Sequence, residues 1–120
     1  MGQPVVHFEI NARDPKKVQE FFARLFDWKI DANNPMNYGL VQTGAGRGID
    51  GGIGAADAGA QASVTFYVEV PDVQAYLNKA EGLGGKTIVP VTEVPGMVTF
   101  ALFSDPEGHV VGLVKEEQPQ

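Results

Sequence analysis

Residues 7–14 (HFEINARD) and residues 65–72 (TFYVEVPD) share one order of residue types. Each stretch alternates polar and apolar residues, which is typical of a β-strand whose two faces have different surroundings. Each stretch ends on an aspartate, Asp14 or Asp72, just before a helical pattern. The distance between the two copies is close to half of the 120-residue chain. We therefore predict one structural unit that occurs twice.

A helix is predicted after each aspartate, because an Asp side chain can accept hydrogen bonds from the first turn of a helix. Pro15 suits the first helical position. Apolar residues then follow at helical spacing in both copies: Val18, Phe21, Phe22, Leu25 and Phe26 in the first, and Val73, Tyr76, Leu77 and Ala80 in the second. We predict that both apolar stripes are core, covered by the sheet.

Three short β-type runs follow each predicted helix, separated by turn-forming residues. They cover residues 28–31, 38–43 and 49–54 in the first half and 86–91, 98–104 and 110–115 in the second. We predict an α+β fold in which two tandem βαβββ modules form a cupped eight-stranded mixed sheet with the helices on the outer face. Module one covers about residues 4–55 and module two about residues 63–116 of a single domain, with a linker at about 56–62.

Composition excludes several classes of protein. The formal net charge is −6 and no basic cluster occurs, so we expect neither a nucleic-acid partner nor a membrane partner. The chain has no cysteine, which excludes disulfides, thiolate metal sites and a cysteine nucleophile. No apolar run approaches the length of a membrane span, and the N-terminus lacks the pattern of a signal peptide. We expect a cytoplasmic protein.

Several short motifs indicate a family. They are residues 6–10 (VHFEI), 14–15 (DP), 21–28 (FFARLFDW), 70–73 (VPDV), 84–86 (GGK), 94–96 (VPG) and 105–109 (DPEGH). With these motifs the chain resembles the vicinal oxygen chelate superfamily, also called the glyoxalase/bleomycin resistance/dioxygenase fold, over about residues 4–116. The resemblance implies modules that close over a cavity, and a homodimer, in which modules can be swapped. It does not imply one reaction, because the fold hosts isomerases, dioxygenases, thiol transferases and drug-binding proteins.

The resemblance also implies where a metal ion would bind. Metal-dependent members place one ligand on the first strand and one on the last strand of each module. In this chain those positions are His7 and Thr65 on the first strands, and Gly54 and Gly112 on the last strands. Only His7 matches, whereas a catalytic divalent metal usually has about three protein ligands. The chain is thus similar to a metal-poor branch, and we expect no cofactor, with a divalent metal as the less favoured alternative.

Candidate ligand-binding residues lie on the predicted first strands. His7, Glu9 and Asn11 share one strand face, where neighbours two positions apart are about 6–7 Å apart and can reach one ligand. If that face is solvated, they are ordinary polar strand residues. Thr65 and Tyr67 would line the cavity from the second module, or would pack in a tight core instead.

Two further residues, Trp28 and Asp50, have two interpretations each, and a third, His109, has a local role. Trp28, the single tryptophan, is either a cavity wall or a core residue. Asp50 stands among glycines and is either a turn cap or a polar group at the rim of the cup. His109 lies at a turn where the family has Asn, and we interpret it as part of that turn.

Three functions fit these residues. The favoured one is a glyoxalase-like protein that binds a small apolar or planar molecule in the cup without a family-type metal. The alternative is a metal-dependent lyase, isomerase or dioxygenase that uses His7 with a metal or with Glu9 as base. Whether the chain is an enzyme is therefore left open, with His7 and Glu9 as catalytic candidates. The third is a structural or partner-binding module with a filled cavity.

Overall fold

The computed structural model describes residues 2–56 and 61–116. These residues form two helices and eight strands, in the order strand, helix and three strands, twice over. This confirms the α+β class and the repeated βαβββ order. The bounds are β1 (Val5–Ala12), α1 (Pro15–Phe26), β2 (Lys29–Asp31), β3 (Gly39–Gln42), β4 (Gly51–Ala55), β5 (Ser63–Val70), α2 (Val73–Gly82), β6 (Lys86–Val94), β7 (Val98–Ser104) and β8 (Val110–Lys115).

Contacts divide the chain into two compact units, which are described separately. The N-terminal unit is His7–Thr65, and the C-terminal unit combines Met1–Val6 with Phe66–Gln120. Most of the linker predicted at 56–62, namely 57–60, lies outside the described residues, as do the last four residues of the chain. Neither described helix is long and apolar enough to cross a membrane.

The N-terminal unit has the strand order β2-β3-β4-β1. β1 and β4 are parallel, whereas β3 is antiparallel to both β2 and β4. Val41 on β3 and Ile53 on β4 are fully buried. The register of the parallel pair places Glu9 opposite Gly52 and Asn11 opposite Gly54. The polar residues of β1 therefore lie beside two residues that have no side chain.

The C-terminal unit has the strand order β5-β8-β7-β6, again with one parallel pair, β5 and β8. Asp72 caps α2 by accepting a hydrogen bond from the Ala75 N–H at 3.0 Å. The core consists of Val70, Val73, Leu77, Ala101 and Leu113. Two of these, Val73 and Leu77, belong to the predicted apolar stripe of α2, and Tyr76 packs against the same cluster. This stripe is confirmed as core.

The predicted apolar stripe of α1 is wrong by about one residue of rotation. Phe21, Leu25 and Phe26 are 58%, 56% and 52% exposed, and no residue of α1 is fully buried. The side of the helix that is at least half-buried contains Val18, Gln19, Phe22 and Ala23 instead. Gln19 belongs to this side, and its Nε2 donates a hydrogen bond to the Ile53 carbonyl of β4 at 2.8 Å. A buried carbonyl needs a hydrogen-bond donor, and the spacing of apolar residues along a helix does not show where such a donor is needed.

Candidate functional site

Tyr38 connects two of the predicted site residues. Its phenol oxygen lies 3.0 Å from His7 Nε2, and it donates a hydrogen bond to Glu9 Oε2, also at 3.0 Å. The other oxygen of Glu9 accepts from Asn11 Nδ2 at 3.2 Å. All four side chains are half-buried. We call His7, Tyr38, Glu9 and Asn11 the polar quartet.

The ring of Tyr38 lies over the glycines of β4. A Cβ atom at Gly52 would fall on the phenol ring, and one at Gly54 would lie 2.6 Å from Tyr38 Cδ1. Real Cβ atoms essentially never approach other atoms this closely, so a side chain at either position would displace the ring. The His7 ring is stacked near Tyr38, with centroids 6.4 Å apart and planes inclined by 18°. Both glycines are therefore required by the position of Tyr38.

The pKa of His7 is lowered from its ordinary value of 6.5, because burial disfavours the charged imidazolium. The carboxylates of Glu9 and Asp50 act in the opposite direction but do not outweigh burial. As the pH falls, His7 is protonated in the unfolded chain before it is protonated in the folded protein. The contribution of His7 to folding stability is therefore present above pH 6.5. It is lost as the pH falls from there through the pKa of the folded protein.

Removing the charge of Glu9 tests the balance between burial and the neighbouring carboxylates in setting the pKa of His7. In Glu9→Gln we expect the pKa of His7 to fall further, because the largest of the opposing effects is removed while an amide oxygen can still accept from Tyr38. An NMR titration of the two histidine rings measures this, and His109 serves as the internal control. A His7 pKa that rises in the variant would show that the Glu9 carboxylate does not favour the imidazolium.

Contacts bear on two of the open interpretations. Asp50 caps a turn, with its Oδ1 accepting from the Thr43 N–H at 3.1 Å. Trp28 lies in an aromatic cluster, with its ring centroid 5.4 Å from Phe8 and 5.6 Å from Phe22. Phe8 alternates with Glu9 along β1, so this cluster lies on the α1 side of the strand, which favours the interpretation of Trp28 as a core residue.

His109 and Asp105 form a turn, as interpreted from the sequence. Asp105 Oδ1 accepts from the His109 N–H at 2.9 Å, and the Asp105 N–H donates to the His109 carbonyl at 2.9 Å. The hydrogen bond from the His109 backbone is the main reason that the pKa of Asp105 lies below its ordinary value.

Tyr67 and Thr65 are both buried. In the C-terminal unit, Tyr67 pairs with Gly112, and a Cβ at Gly112 would fall on the Tyr67 ring. Because Glu9 and Tyr67 are equivalent in the repeat, the strand registers make Gly52, and not Gly54, the equivalent of Gly112. In each unit a tyrosine ring thus lies over the glycine at the last-strand position.

Tyr38 is the site residue that the sequence analysis missed. It was included only as the first residue of a predicted strand, whereas β3 begins after it, at Gly39. The available signal was the glycine-rich run 51–54 (GGIG), because glycines on one face of a strand leave room that a large side chain has to fill.

The residues of the polar quartet belong to no described metal cluster and do not line the cavity along α1. Across residues 2–56 and 61–116, no group of three or more His, Asp or Glu side chains could hold a metal ion. A cavity of about 470 Å³ opens along α1, lined by Lys17, Glu20, Phe21, Arg24 and Leu25. That lining includes none of the predicted site residues.

A model of the glyoxalase-like domain matches residues 7–114. The chain belongs to the glyoxalase-like family. The match spans both βαβββ repeats, as the motifs predicted. It places this glyoxalase-like domain in the vicinal oxygen chelate superfamily.

Solved structures resemble the glyoxalase-like domain over nearly its whole length. A glyoxalase/bleomycin resistance protein/dioxygenase superfamily member from Vibrio splendidus 12B01 has a TM-score of 0.65 and 15% identity, over 97% of this chain and 100% of that chain. An NAD-dependent benzaldehyde dehydrogenase from Legionella pneumophila has a TM-score of 0.68 and 16% identity, over 92% and 98%. Methylmalonyl-CoA epimerase from Mycobacterium tuberculosis has a TM-score of 0.63 and 12% identity, over 95% of this chain and 88% of that chain. These identities show the fold alone, and a search of curated sequences found no match.

Proposed function

We propose that this glyoxalase-like domain binds a small planar or apolar molecule at the polar quartet, without a family-type metal ion. The observation that carries the proposal is the position of Tyr38, whose hydroxyl is bonded to His7 and Glu9 while its ring lies over Gly52 and Gly54. Aromatic rings bind planar molecules by stacking. Hydrogen-bonding groups and stacking surfaces thus occur side by side in one unit.

The donor set argues against the metal-dependent alternative. Gly52 and Gly112 offer no side-chain ligand, and a tyrosine ring occupies the space above each. Thr65 has a hydroxyl, which is a poor substitute for the usual imidazole or carboxylate ligands. His7 is the remaining family position, and its Nε2 is hydrogen-bonded to Tyr38. These residues do not fit a divalent metal of the family type.

Binding is tested with three planar probes, phenol, benzamide and indole, on protein dialysed against EDTA. We expect at least one probe to shift the NMR signals of the His7 ring and leave those of His109 unchanged. In His7→Ala we expect affinity for that probe to fall about 5- to 100-fold, since a hydrogen bond at a half-buried site is lost.

The matched control is His109→Ala, which removes an exposed histidine from a turn and should leave the affinity unchanged. If no probe perturbs His7 either without or with added Zn²⁺, the structural-module hypothesis replaces this one. If a probe binds only after Zn²⁺ is added and His7→Ala abolishes that binding, the metal-dependent alternative is correct.

The homodimer and the cytoplasmic location belong to the same proposal. Exposed apolar side chains on α1, Phe21, Leu25 and Phe26, favour an association that covers them. Sedimentation velocity at micromolar concentration measures the mass, and a monomer would contradict the homodimer.

A further inference from the structure

Asn34 holds both backbone polar groups of Tyr38. Its Oδ1 accepts from the Tyr38 N–H at 3.0 Å, and its Nδ2 donates to the Tyr38 carbonyl at 2.7 Å. The same Oδ1 accepts from the Met36 N–H at 3.2 Å. The Asn34 carbonyl also accepts from the N–H of Asn37, whose φ of 52° is left-handed. One side chain therefore fixes the segment from which the Tyr38 ring projects.

The hydrogen bonds of Tyr38 favour one tautomer of the His7 ring. A phenol has a single hydrogen, and here it is donated to Glu9 Oε2. The phenol oxygen then has only lone pairs to offer at the 3.0 Å contact with His7 Nε2. Nε2 must accordingly be the donor, which places the lone pair of the neutral imidazole on Nδ1.

We propose that Asn34 is the positioning residue of the polar quartet. By clamping the backbone of Tyr38, it keeps the phenol between His7 and Glu9 and so sets which nitrogen of His7 carries the proton. Asn34 acts through Tyr38 and needs no contact of its own with a ligand. The importance of this role for binding rests on the proposed function, but the tautomer can be measured without a ligand.

The test uses the full chain and ¹⁵N–¹H correlation spectra of the histidine rings above pH 7.5. The chain has two histidines, so His109 in its separate turn is the reference. We expect His7 to be mainly the Nε2–H tautomer. Asn34→Ala should move the tautomer ratio about fivefold toward Nδ1–H, the effect of one lost hydrogen bond. Tyr38→Phe, which keeps the ring and removes the hydroxyl, should produce the same shift.

Asn34→Asp is the conservative variant. Its carboxylate can still accept from Met36 and Tyr38 but cannot donate to the Tyr38 carbonyl, so we expect a smaller shift than in Asn34→Ala. A lower melting temperature with an unchanged His7 ratio in both Asn34 variants would reduce Asn34 to a structural role and overturn the proposal. An unchanged ratio in Tyr38→Phe would overturn it as well.

A second Asn34 variant keeps the test decisive if the first one does not fold. If Asn34→Ala does not fold, the ratios in Asn34→Asp and Tyr38→Phe decide by the same criteria. The proposed function is contradicted by a different result, namely that no probe binds. That result does not affect the tautomer measurement.

Discussion

Gly52→Ala should destabilise the protein by about 2–4 kcal/mol and disrupt the polar quartet. The new Cβ would overlap the ring of Tyr38. Overpacking a site typically costs about 1–3 kcal/mol, and the displaced phenol would also lose its hydrogen bonds to His7 and Glu9. Urea unfolding measures the stability, and the chemical shifts of the His7 ring report on the polar quartet.

A double-mutant cycle distinguishes the overlap from other effects. In a Tyr38→Ala background, Gly52→Ala should cost almost nothing, because the ring that it meets is gone. Gly82→Ala is the matched control, since a Cβ there meets nothing within 4 Å and Ala is the better helix former. It should stabilise the protein by about 0.5–1 kcal/mol. An equal cost of Gly52→Ala in both backgrounds would contradict the role assigned to Tyr38.

Leu77→Ala should destabilise the C-terminal unit by about 2–5 kcal/mol. Leu77 is 1% exposed and belongs to the cluster in which α2 meets its sheet. Truncating a buried leucine removes apolar contacts and leaves a cavity that the surroundings fill only in part. The shift of the urea or thermal midpoint measures the effect.

The control for this prediction is Leu83→Ala, just beyond the end of α2. Leu83 is 72% exposed, and its backbone hydrogen bonds do not depend on the side chain. We expect its effect to stay within about 0.5 kcal/mol. Similar losses for both leucines would mean that α2 is not packed as described.

The sequence predicted the order of elements well because each signal was local. Asp14 and Asp72 cap their helices, and the apolar spacing of α2 matches its buried side. In α1 the same kind of spacing placed Val18 and Phe22 correctly but missed Gln19, whose hydrogen bond to the Ile53 carbonyl crosses between elements. Spacing along one helix carries no information on what a neighbouring strand requires.

The site was predicted only in part, for a similar reason. The alternation along β1 placed His7, Glu9 and Asn11 on one face. In the structure Tyr38 joins His7 to Glu9, and Asn11 donates to Glu9 directly. Tyr38 comes from a distant loop, and its role depends on the register of β1 against β4. That register pairs Glu9 with Gly52, and no pattern within either strand fixes it.

The pairing of a tyrosine with a last-strand glycine restricts how this lineage can change by mutation. A carboxylate introduced at Gly52 or Gly112 alone would collide with Tyr38 or Tyr67. Removing either tyrosine first would leave a hole above the glycine. Introducing donors at these positions one substitution at a time therefore costs stability by either route. Exchanging both residues of a pair together avoids the overlap and the hole.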